Sequence, residues 1–454
     1  MKALLPIVVA GTPAARKAVA RLSGRLAAME RADNAEFRAR AKAIFGRALS
    51  PEETVAQILA DVRAKGDRAL FDYQRRIDGV KLTPKSLKVS RAEISAGFKR
   101  TSKEVRRALE IAALRIADYQ TRLLPKDFEL SSGRGPKGVR TGLMWTPLRR
   151  AGLYIPGGRN AFPSSVLMNA VPAQVAGVKE IALATPCSRD GALSDGVLAA
   201  CEVLGLREIY RMGGAQAIGA LAYGTKLVPK VQKIAGPGNV FVMLAKRAVF
   251  GVVDIDMLAG PSEVLVLADD LARADWIAAD LLAQAEHDPL SSCVVVTTSE
   301  KLAEAVCMEL AKQLETLPRK KLATAALRDW GLILVAHGLD EALEACNELA
   351  PEHLEIHARN PERLAQRLST AGALFLGPYA TEPLGDYLAG PSHTLPTGGT
   401  AAAFSGVSVY TFLRRTSLIS ADAGGLAALA EPTETLARAE SLEAHRRAVE
   451  IRRK

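Results

Sequence analysis

The segment 282–289 places a carboxamide, Gln284, three residues before an imidazole, His287. At the end of an amphipathic helix, such a pair lies about 60° apart around the axis and therefore on one face. That geometry suits a metal ion or a polar ligand. The chain has only six histidines, and His287 stands between two carboxylates, Glu286 and Asp288. We therefore expect this segment to bind a ligand rather than to fill an ordinary place in the core.

A second candidate pair, Glu352 and His353, lies in a short junction between a predicted helix that ends at Pro351 and a strand that begins at Leu354. An adjacent carboxyl and imidazole supply two proton-transfer groups whose reference pKa values differ by about two units. The local sequence alone favours a simpler interpretation, a capping glutamate and a surface histidine. A junction before a strand also normally lies at the sheet edge opposite the ligand crevice. His357, further along the strand, is expected to be structural.

An irregular stretch rich in Gly, Pro, Thr and Ser, residues 381–406, contains Gly385-Asp386-Tyr387, with His393 seven residues after Asp386. Long irregular stretches in compact proteins are usually functional. A carboxylate on a Gly-flanked loop can approach a metal ion closely. An ordinary Asx turn is the alternative interpretation of Asp386.

Glu440 and His445 lie on a predicted terminal helix from Thr433 to Arg452. Five residues apart on one helix, the two side chains point about 140° away from each other. They therefore do not share one narrow face, although they could straddle a ligand at the flank of the helix. A solvated helix surface is the alternative.

Three Gly-rich turns follow predicted strands, and each could direct backbone N–H groups and a helix N-terminus toward phosphate. None is a complete G-x-G-x-x-G motif, and no acidic residue suited to a ribose follows about 20 residues later. Each turn alone is explained by a tight βα connection. Together they leave a dinucleotide site and simple connections as equal alternatives. The turns are Ile155–Gly158, Met212–Gln216 and Ala235–Asn239.

The elements that must position these residues alternate between strands and helices from residue 151 onward. Two successive arrays of this kind predict an α/β fold with two doubly wound, Rossmann-like parallel-sheet domains and a ligand crevice between them. Apolar residues at helical spacing over 34–124 predict a helical N-terminal segment, and a helical C-terminal segment ends the chain. Residues 125–153 are predicted to be a connection. The predicted strands are 151–155, 181–185, 208–212 and 231–235, then 263–267, 293–297, 332–336, 354–358 and 373–377.

The net charge of +11 is spread along the chain, without an RNP-like, zinc-finger or repeat motif. We attribute the charge to solvation or to attraction for an anionic cofactor, and expect no nucleic-acid partner. No apolar run approaches the ~20 residues that span a bilayer, and Pro6 interrupts the apolar start of the chain, so neither a membrane partner nor export is expected. Five scattered cysteines without a C-x-x-C pair favour a reducing, cytoplasmic location.

Taken together, these segments resemble the histidinol dehydrogenases, enzymes of the last steps of histidine biosynthesis. The resemblance runs from about residue 40 to the C-terminus. Small departures occur at Ser392 and Thr394, where the family more commonly has Asn and Val, and they affect only the local loop. The matching segments are Gly152–Gly158, Gly213–Ile218, Gly236–Asn239, Ala259–Val264, Gln284–Asp288, Pro351–Leu354, Gly385–Tyr387, and Glu440 with His445.

The resemblance implies oxidation of L-histidinol through L-histidinaldehyde to L-histidine, with two NAD⁺ as hydride acceptors. It implies that His353 takes the alcohol proton while Glu352 activates water, and that one Zn²⁺ per subunit anchors the substrate. It further implies a homodimer with intertwined tails, in which the partner subunit supplies the tail histidine. The zinc ligands are Gln284, His287, Asp386 and His445; the NAD-contacting positions are Tyr154, Gln216 and Asn239; the substrate-contacting positions are Ser262, Gln284, His287, His353, Asp386, Glu440 and His445.

We divide the chain accordingly into four parts. Residues 1–48 form an N-terminal extension or helical segment whose role is open. Residues 49–153 together with 262–407 form a first α/β domain, which carries the catalytic and zinc residues. Residues 154–261 form a second α/β domain that contacts NAD, and residues 408–454 form a helical tail that contributes to the partner subunit's site.

Two other functions compete with this one. A related zinc- and NAD-dependent dehydrogenase could act on another amino alcohol or on a sulfonated diol, and some such relatives have altered tails. The intact Glu440 and His445 argue against that alternative. A basic nucleic-acid-binding protein on a degenerate enzyme fold is a third possibility. The presence of every acid–base and metal position argues against degeneration.

Overall fold

The computed structural model describes residues 4–24, 34–157 and 162–453. Two parallel β-sheets with helices on both faces form most of this part of the chain, so the predicted α/β class is confirmed. Gly158, which ends one predicted Gly-rich turn, lies outside the described residues. None of the helices in the described part combines the length and apolar character that a membrane crossing requires.

A six-stranded parallel sheet is built mainly from the second half of the chain. Its central strand, Glu263–Ala268, is buried along its whole length, as expected for a parallel strand covered on both faces. One face is covered by Ala274–Ala285, Glu300–Leu314 and Lys320–Trp330, the other by Pro13–Ser23, Leu339–Leu349 and Pro361–Ala365. In spatial order the strands are Ile7–Val9, Gly331–Val335, Ser292–Thr297, Glu263–Ala268, His353–His357 and Ala373–Leu376.

The second parallel sheet has five strands. One of its faces carries Arg91–Arg100, Lys103–Arg122, Pro163–Val175 and Asp195–Val203. The other face carries Pro51–Lys65, Asp67–Tyr73, Gly214–Tyr223 and Val240–Val249. In spatial order the strands are Glu208–Arg211, Glu180–Thr185, Arg150–Tyr154, Lys233–Ala235 and Asp254–Ile255.

The helices between residues 51 and 122 correct the predicted domain division. We expected 49–153 to join the first α/β domain, but these helices pack on the five-stranded sheet. Leu59 and Val62 lie against Gly219, where an added Cβ would come within 3.1 Å of Leu59. Gly97 lies against Leu198 in the same way. The apolar stripes of these helices therefore belong to the layers that cover the five-stranded sheet.

The N-terminal segment is also placed differently from the prediction. Ile7–Val9 pairs in parallel with Ile333–Val335 and adds an edge strand to the six-stranded sheet. Leu5 is fully buried in the core beside it. A three-residue strand is too short to show a period in the sequence, so residues 1–48 looked like a separate extension.

A three-stranded antiparallel sheet occupies regions predicted to be a connection and a helical tail. Its strands are Leu413–Ala421, Val139–Pro147 and Phe128–Ser131. Leu413–Ala421 alternates between half-buried and exposed residues and lacks a buried face in the single chain. A strand of that kind carries little local signal, because its pairing is with a segment far away in sequence.

The terminal helix is two helices. Ala423–Ala439 and Glu443–Glu450 are separated by a turn in which Ser441 adopts φ +60°, in the left-handed region. Glu440 therefore ends the first helix and His445 lies on the second. The predicted angle of 140° between the two side chains, which assumed one continuous helix, does not apply.

Candidate functional site

A cavity of about 610 Å³ lies between the two parallel sheets. Pro156 and Asn239, which line it, follow strands of the five-stranded sheet, whereas Ser262 and Glu352 precede strands of the six-stranded sheet. The carboxyl edge of one sheet thus faces the amino edge of the other. This arrangement explains how a junction before a strand, unusual for a ligand site, comes to line the cavity. A groove of about 800 Å³ along Arg149 contains none of the predicted site residues.

Gln284 and His287 lie at the end of the helix Ala274–Ala285, as the sequence indicated. Ala285 is the last residue of the helix and Glu286 is its C-cap. The His287 N–H donates to the Gln284 carbonyl at 3.2 Å. Gln284 is fully buried. The orientation of its amide is assigned from its neighbours: with the NH₂ group directed to Glu382 Oε1 and to the Glu263 carbonyl, both at 3.1 Å, both acceptors receive a hydrogen bond. Its carbonyl oxygen is therefore the atom left to bind a ligand.

Asp386 lies on a short helix, Glu382–Tyr387, rather than in an irregular loop. Ligand atoms of His287, Glu382 and Asp386 all lie within 4.8 Å of one another, which suits a single metal ion. The helix approaches the sheet at Gly385, where an added Cβ would be 2.6 Å from the Phe375 ring. Only glycine permits that approach, so Gly385 brings Asp386 to the cavity.

His353 and Glu352 are held by the backbone and the carboxylate of Glu263. The Glu263 N–H donates to Glu352 Oε2 at 2.9 Å, and the Glu352 N–H donates back to Glu263 Oε2 at 3.2 Å. His353 Nδ1 lies 2.9 Å from the Glu263 carbonyl. A carbonyl only accepts, so Nδ1 carries the proton and Nε2 carries the lone pair. His353 Nε2 lies 3.9 Å from Asp386 Oδ1.

The protonation of His353 follows from its surroundings. Burial lowers the pKa of His353 from its ordinary value of 6.5, and the opposing charge of Asp386 does not restore it. The imidazole is therefore neutral at neutral pH. A neutral imidazole with a free Nε2 lone pair, beside the cluster of His287, Glu382 and Asp386, is suited to accept a proton.

The three positions expected to contact NAD lie on the five-stranded sheet or at the start of its helices. The Gly214 N–H donates to the Tyr154 hydroxyl at 3.2 Å, and burial raises the pKa of Tyr154 to about 12. Gln216 Nε2 donates to Asp78 Oδ2 at 3.0 Å. Asn239 caps Val240–Val249 and lines the cavity. Among the described residues of the cavity wall, Asn239 is present while Tyr154 and Gln216 are not.

Gly236 is required by the close approach of two strands at this edge. Its φ is +115°, and an added Cβ would lie 2.1 Å from the Tyr154 carbonyl oxygen. We expect Gly236→Ala to lower the free energy of unfolding by about 2 kcal/mol or more, measured by denaturant titration. Gly338→Ala is the matched control, because nothing lies within 4 Å of its added Cβ. Equal stability of the two variants would contradict this role of Gly236.

The remaining predicted residues divide into one that lines the cavity and two that do not. Ser262 lines it directly before the strand Glu263–Ala268. Glu440 and His445 are exposed on the C-terminal helices, which pack on each other. Within the described part of a single chain, neither belongs to the cavity wall.

Four residues of the site were not predicted from the sequence. Glu263 and Glu382 were detectable in principle, because Glu263 heads an apolar buried strand and Glu382 precedes Asp386 by one helical turn. His393 was noted but given no role; its Nδ1 lies 2.9 Å from the Asp386 carbonyl and its Nε2 lies 3.0 Å from Ser165 Oγ. Asp78 is 138 positions from Gln216, and no local signal connects them.

Comparisons with known proteins agree with this geometry. The family model for histidinol dehydrogenase matches residues 47–453. A histidinol dehydrogenase of Moorella thermoacetica is 52% identical over 410 residues, covering 90% of this chain and 96% of the relative. One of Bacillus subtilis is 49% identical over 400 residues, covering 88% and 92%. A solved histidinol dehydrogenase from Elizabethkingia anophelis superposes with a TM-score of 0.88 at 33% identity, covering 100% of this chain and 98% of the other.

Proposed function

Because this chain belongs to the histidinol dehydrogenase family, we propose that its cavity oxidises L-histidinol to L-histidine in two NAD⁺-dependent steps. One observation carries the proposal: the neutral His353 imidazole, beside Glu352, points its free nitrogen toward the cluster of His287 and Asp386. The reacting alcohol, the base and the anchoring group would then share one cavity between the dinucleotide side and the six-stranded sheet.

The residues fit one zinc ion. Gln284 offers a carbonyl oxygen because its NH₂ is already engaged, and His287 and Asp386 offer a nitrogen and an oxygen nearby. With a second histidine, His445, from a partner subunit, one carboxylate and three neutral ligands would leave a bound Zn²⁺ with a net positive charge. Bound zinc would supply a fixed cation that holds the substrate's imidazole and amine. The hydrogen bond between the Gln284 NH₂ and Glu382 Oε1 would fix the orientation of Gln284 as a zinc ligand.

In the first oxidation, the substrate hydroxyl gives its proton to His353 Nε2 while the carbinol carbon gives a hydride to NAD⁺. The products are L-histidinaldehyde and NADH, with the proton on His353. The Glu263 carbonyl stabilises the resulting imidazolium because it accepts a hydrogen bond from Nδ1–H. General-base catalysis of this kind is typically worth 10²- to 10⁴-fold in rate.

In the second oxidation, water adds to the aldehyde carbon, and Glu352 takes a proton from that water. As the hydrate forms, the imidazolium of His353 returns the proton of the first step to the carbonyl oxygen and becomes neutral again. The hydrate then loses a hydride to a second NAD⁺ and a hydroxyl proton to His353, and the resulting carboxylic acid ionises to the carboxylate of L-histidine. Glu352 lines the cavity while its Oε2 accepts the Glu263 N–H, so the backbone of the neighbouring strand fixes its direction. Ser262 lines the same cavity and would contact the substrate.

We place the dinucleotide along the carboxyl edge of the five-stranded sheet. Asn239 lines the cavity there, and Tyr154 and Gln216 continue the same edge. The helices that begin at Gly214 and Val240 have their N-termini, the positive ends of their dipoles, at this edge, which favours a pyrophosphate.

We propose a homodimer whose tails complete each other's sites. Glu440 and His445 are exposed in the single chain, and large apolar side chains are exposed on the same tail. The proposed dimer interface would bury these side chains. Ile419 is 80% exposed, Leu436 65% and Ile451 67%. We also propose a cytoplasmic location, in keeping with five free cysteines, and neither nucleic acid nor membrane as a partner.

The substrate is identified by supplying NAD⁺ together with each candidate alcohol and measuring the absorbance of the NADH that forms. L-histidinol should be oxidised, and neither a sulfonated diol nor an amino alcohol without an imidazole should replace it. Oxidation of a sulfonated diol but not of L-histidinol would favour the alternative, a related zinc- and NAD-dependent dehydrogenase.

A further inference from the structure

Three buried side chains outside the cavity form a second cluster of metal-ligating type. Ligand atoms of Asp280, Glu355 and His357 all lie within 4.8 Å of one another. Relative exposure is 8% for Asp280, 0% for Glu355 and 2% for His357. The mechanism above uses none of them, and His357 was expected to be a structural residue of the strand.

The cluster lies between the helix that carries Gln284 and the strand that carries His353. On the helix Ala274–Ala285, Asp280 precedes Gln284 by four residues and shares its face, about 6 Å away along the axis. On the strand His353–His357, Glu355 and His357 share the face of His353. The cluster therefore lies directly behind the cavity, between the same helix and the same strand.

Two hydrogen bonds turn one oxygen of each carboxylate outward and leave the other facing His357. The Thr381 hydroxyl donates to Asp280 Oδ1 at 2.6 Å, and the Glu382 N–H donates to Glu355 Oε1 at 2.6 Å. The inner oxygens, Asp280 Oδ2 and Glu355 Oε2, lie 3.8 and 3.4 Å from His357 Nε2. In metal sites, hydrogen bonds of this kind from residues that do not touch the ion hold the carboxylate ligands in position.

These separations fit ligands of one metal ion better than they fit an ion pair. Two ligands at about 2.1 Å from a tetrahedral metal are about 3.4 Å apart. A charged imidazolium would instead close to hydrogen-bond distance, about 2.8 Å. Within the described part of the chain, Glu355 Oε2 and both ring nitrogens of His357 have no hydrogen-bond partner although they are buried. Such groups are costly unless something binds them.

Four carboxyl groups lie in this region: Asp280, Glu355, Glu382 and Asp386. Among the described residues, none of them is hydrogen-bonded to Lys or Arg. A bound divalent cation would compensate the two carboxylates that face His357.

We infer that Asp280, Glu355 and His357 form a second divalent-metal site, distinct from the zinc centre proposed above. One imidazole and two carboxylates are borderline-to-hard ligands, which suit Zn²⁺ or Mn²⁺. This ion would hold Glu355 in place, and Glu355 accepts a hydrogen bond from the Glu382 N–H. The Glu382 carboxylate in turn orients Gln284. The inference concerns different residues from the catalytic zinc and is tested separately from it.

The full-length protein is stripped with a chelator, reloaded with ZnCl₂, desalted and analysed for zinc per subunit by mass spectrometry. Wild type should hold two equivalents and Glu355→Gln one, because the amide keeps the Glu382 hydrogen bond but loses the charge. Glu341→Gln is the matched control, since Glu341 pairs with His337 on the surface at 2.9 Å, and it should hold two. Equal zinc content in Glu355→Gln and wild type would overturn the second site.

Crystals of wild type loaded with Zn²⁺, and separately with Mn²⁺, decide the matter if Glu355→Gln does not fold. Anomalous scattering should show a peak among Asp280, Glu355 and His357 with at least one of the metals, and no such peak with either would refute the site. His287→Ala should keep this peak and lose the other zinc. Retention of both peaks in His287→Ala would instead count against the catalytic zinc ligands and leave the second site standing.

Discussion

Replacement of His353 by Asn should lower kcat for L-histidinol oxidation by about 10²- to 10⁴-fold, the usual contribution of a general base. Asn keeps a polar side chain that can donate to the Glu263 carbonyl, which His353 Nδ1 contacts at 2.9 Å. The variant loses the basic nitrogen at the Nε2 position. Metal content should remain at the wild-type level, because His353 is not among the proposed ligands. Steady-state NADH formation and zinc analysis on one sample measure both quantities.

The pH profile separates a lost base from a disturbed fold. Burial lowers the pKa of His353 below 6.5, and the base works only when unprotonated, so wild-type kcat should fall as the pH falls below that value. His353→Asn should lack this acid limb. His337→Asn, at an exposed histidine, is the control and should keep both rate and profile. Loss of zinc from His353→Asn, or an unchanged rate, would show that His353 is not the base.

Heterodimers carrying His353→Asn in one subunit and His445→Asn in the other should have about half of the wild-type activity, whereas each homodimeric variant should have very little. If each tail completes the partner's site, one of the two sites then has both His353 from one subunit and His445 from the other. The other site carries both substitutions. Co-expression with two affinity tags and tandem purification yields this heterodimer.

The reciprocal heterodimer is the matched control. It pairs a wild-type subunit with one that carries both His353→Asn and His445→Asn, so the same substitutions are redistributed. With exchanged tails each site then holds one substitution, and activity should be near that of the homodimeric variants. An inactive first heterodimer together with a half-active second one would mean that His445 serves its own subunit.

The buried strands were the most predictable part of the fold. The strand predicted at 263–267 is Glu263–Ala268, and that predicted at 208–212 is Glu208–Arg211. Both faces of a parallel sheet are buried, so its strands are continuous apolar runs. Where turn residues bound such a run, the pattern predicts both the strand and the residues at which it begins and ends. Half-exposed Leu413–Ala421 had no such signal, since it depends on pairing with Val139–Pro147.

The candidate site was predicted as a set of segments rather than as an arrangement. Gln284 and His287 could be paired from the sequence because residues three positions apart on a helix lie on the same face. No spacing connects Glu263 to Glu352, or Asp78 to Gln216, because those contacts arise when distant strands and helices meet. The break at Ser441, where one residue takes φ +60°, was likewise invisible in a sequence rich in helix formers.

The yield of NADH from limiting L-histidinol tests the proposed four-electron oxidation most directly. Excess NAD⁺ and enzyme are incubated with a known amount of L-histidinol until NADH stops accumulating, and the product is identified by mass spectrometry. Two NADH per L-histidinol, with L-histidine as the product, are expected because the same base and the same cavity serve both hydride transfers. One NADH per L-histidinol with the aldehyde as product, or no NADH, would contradict the proposed function.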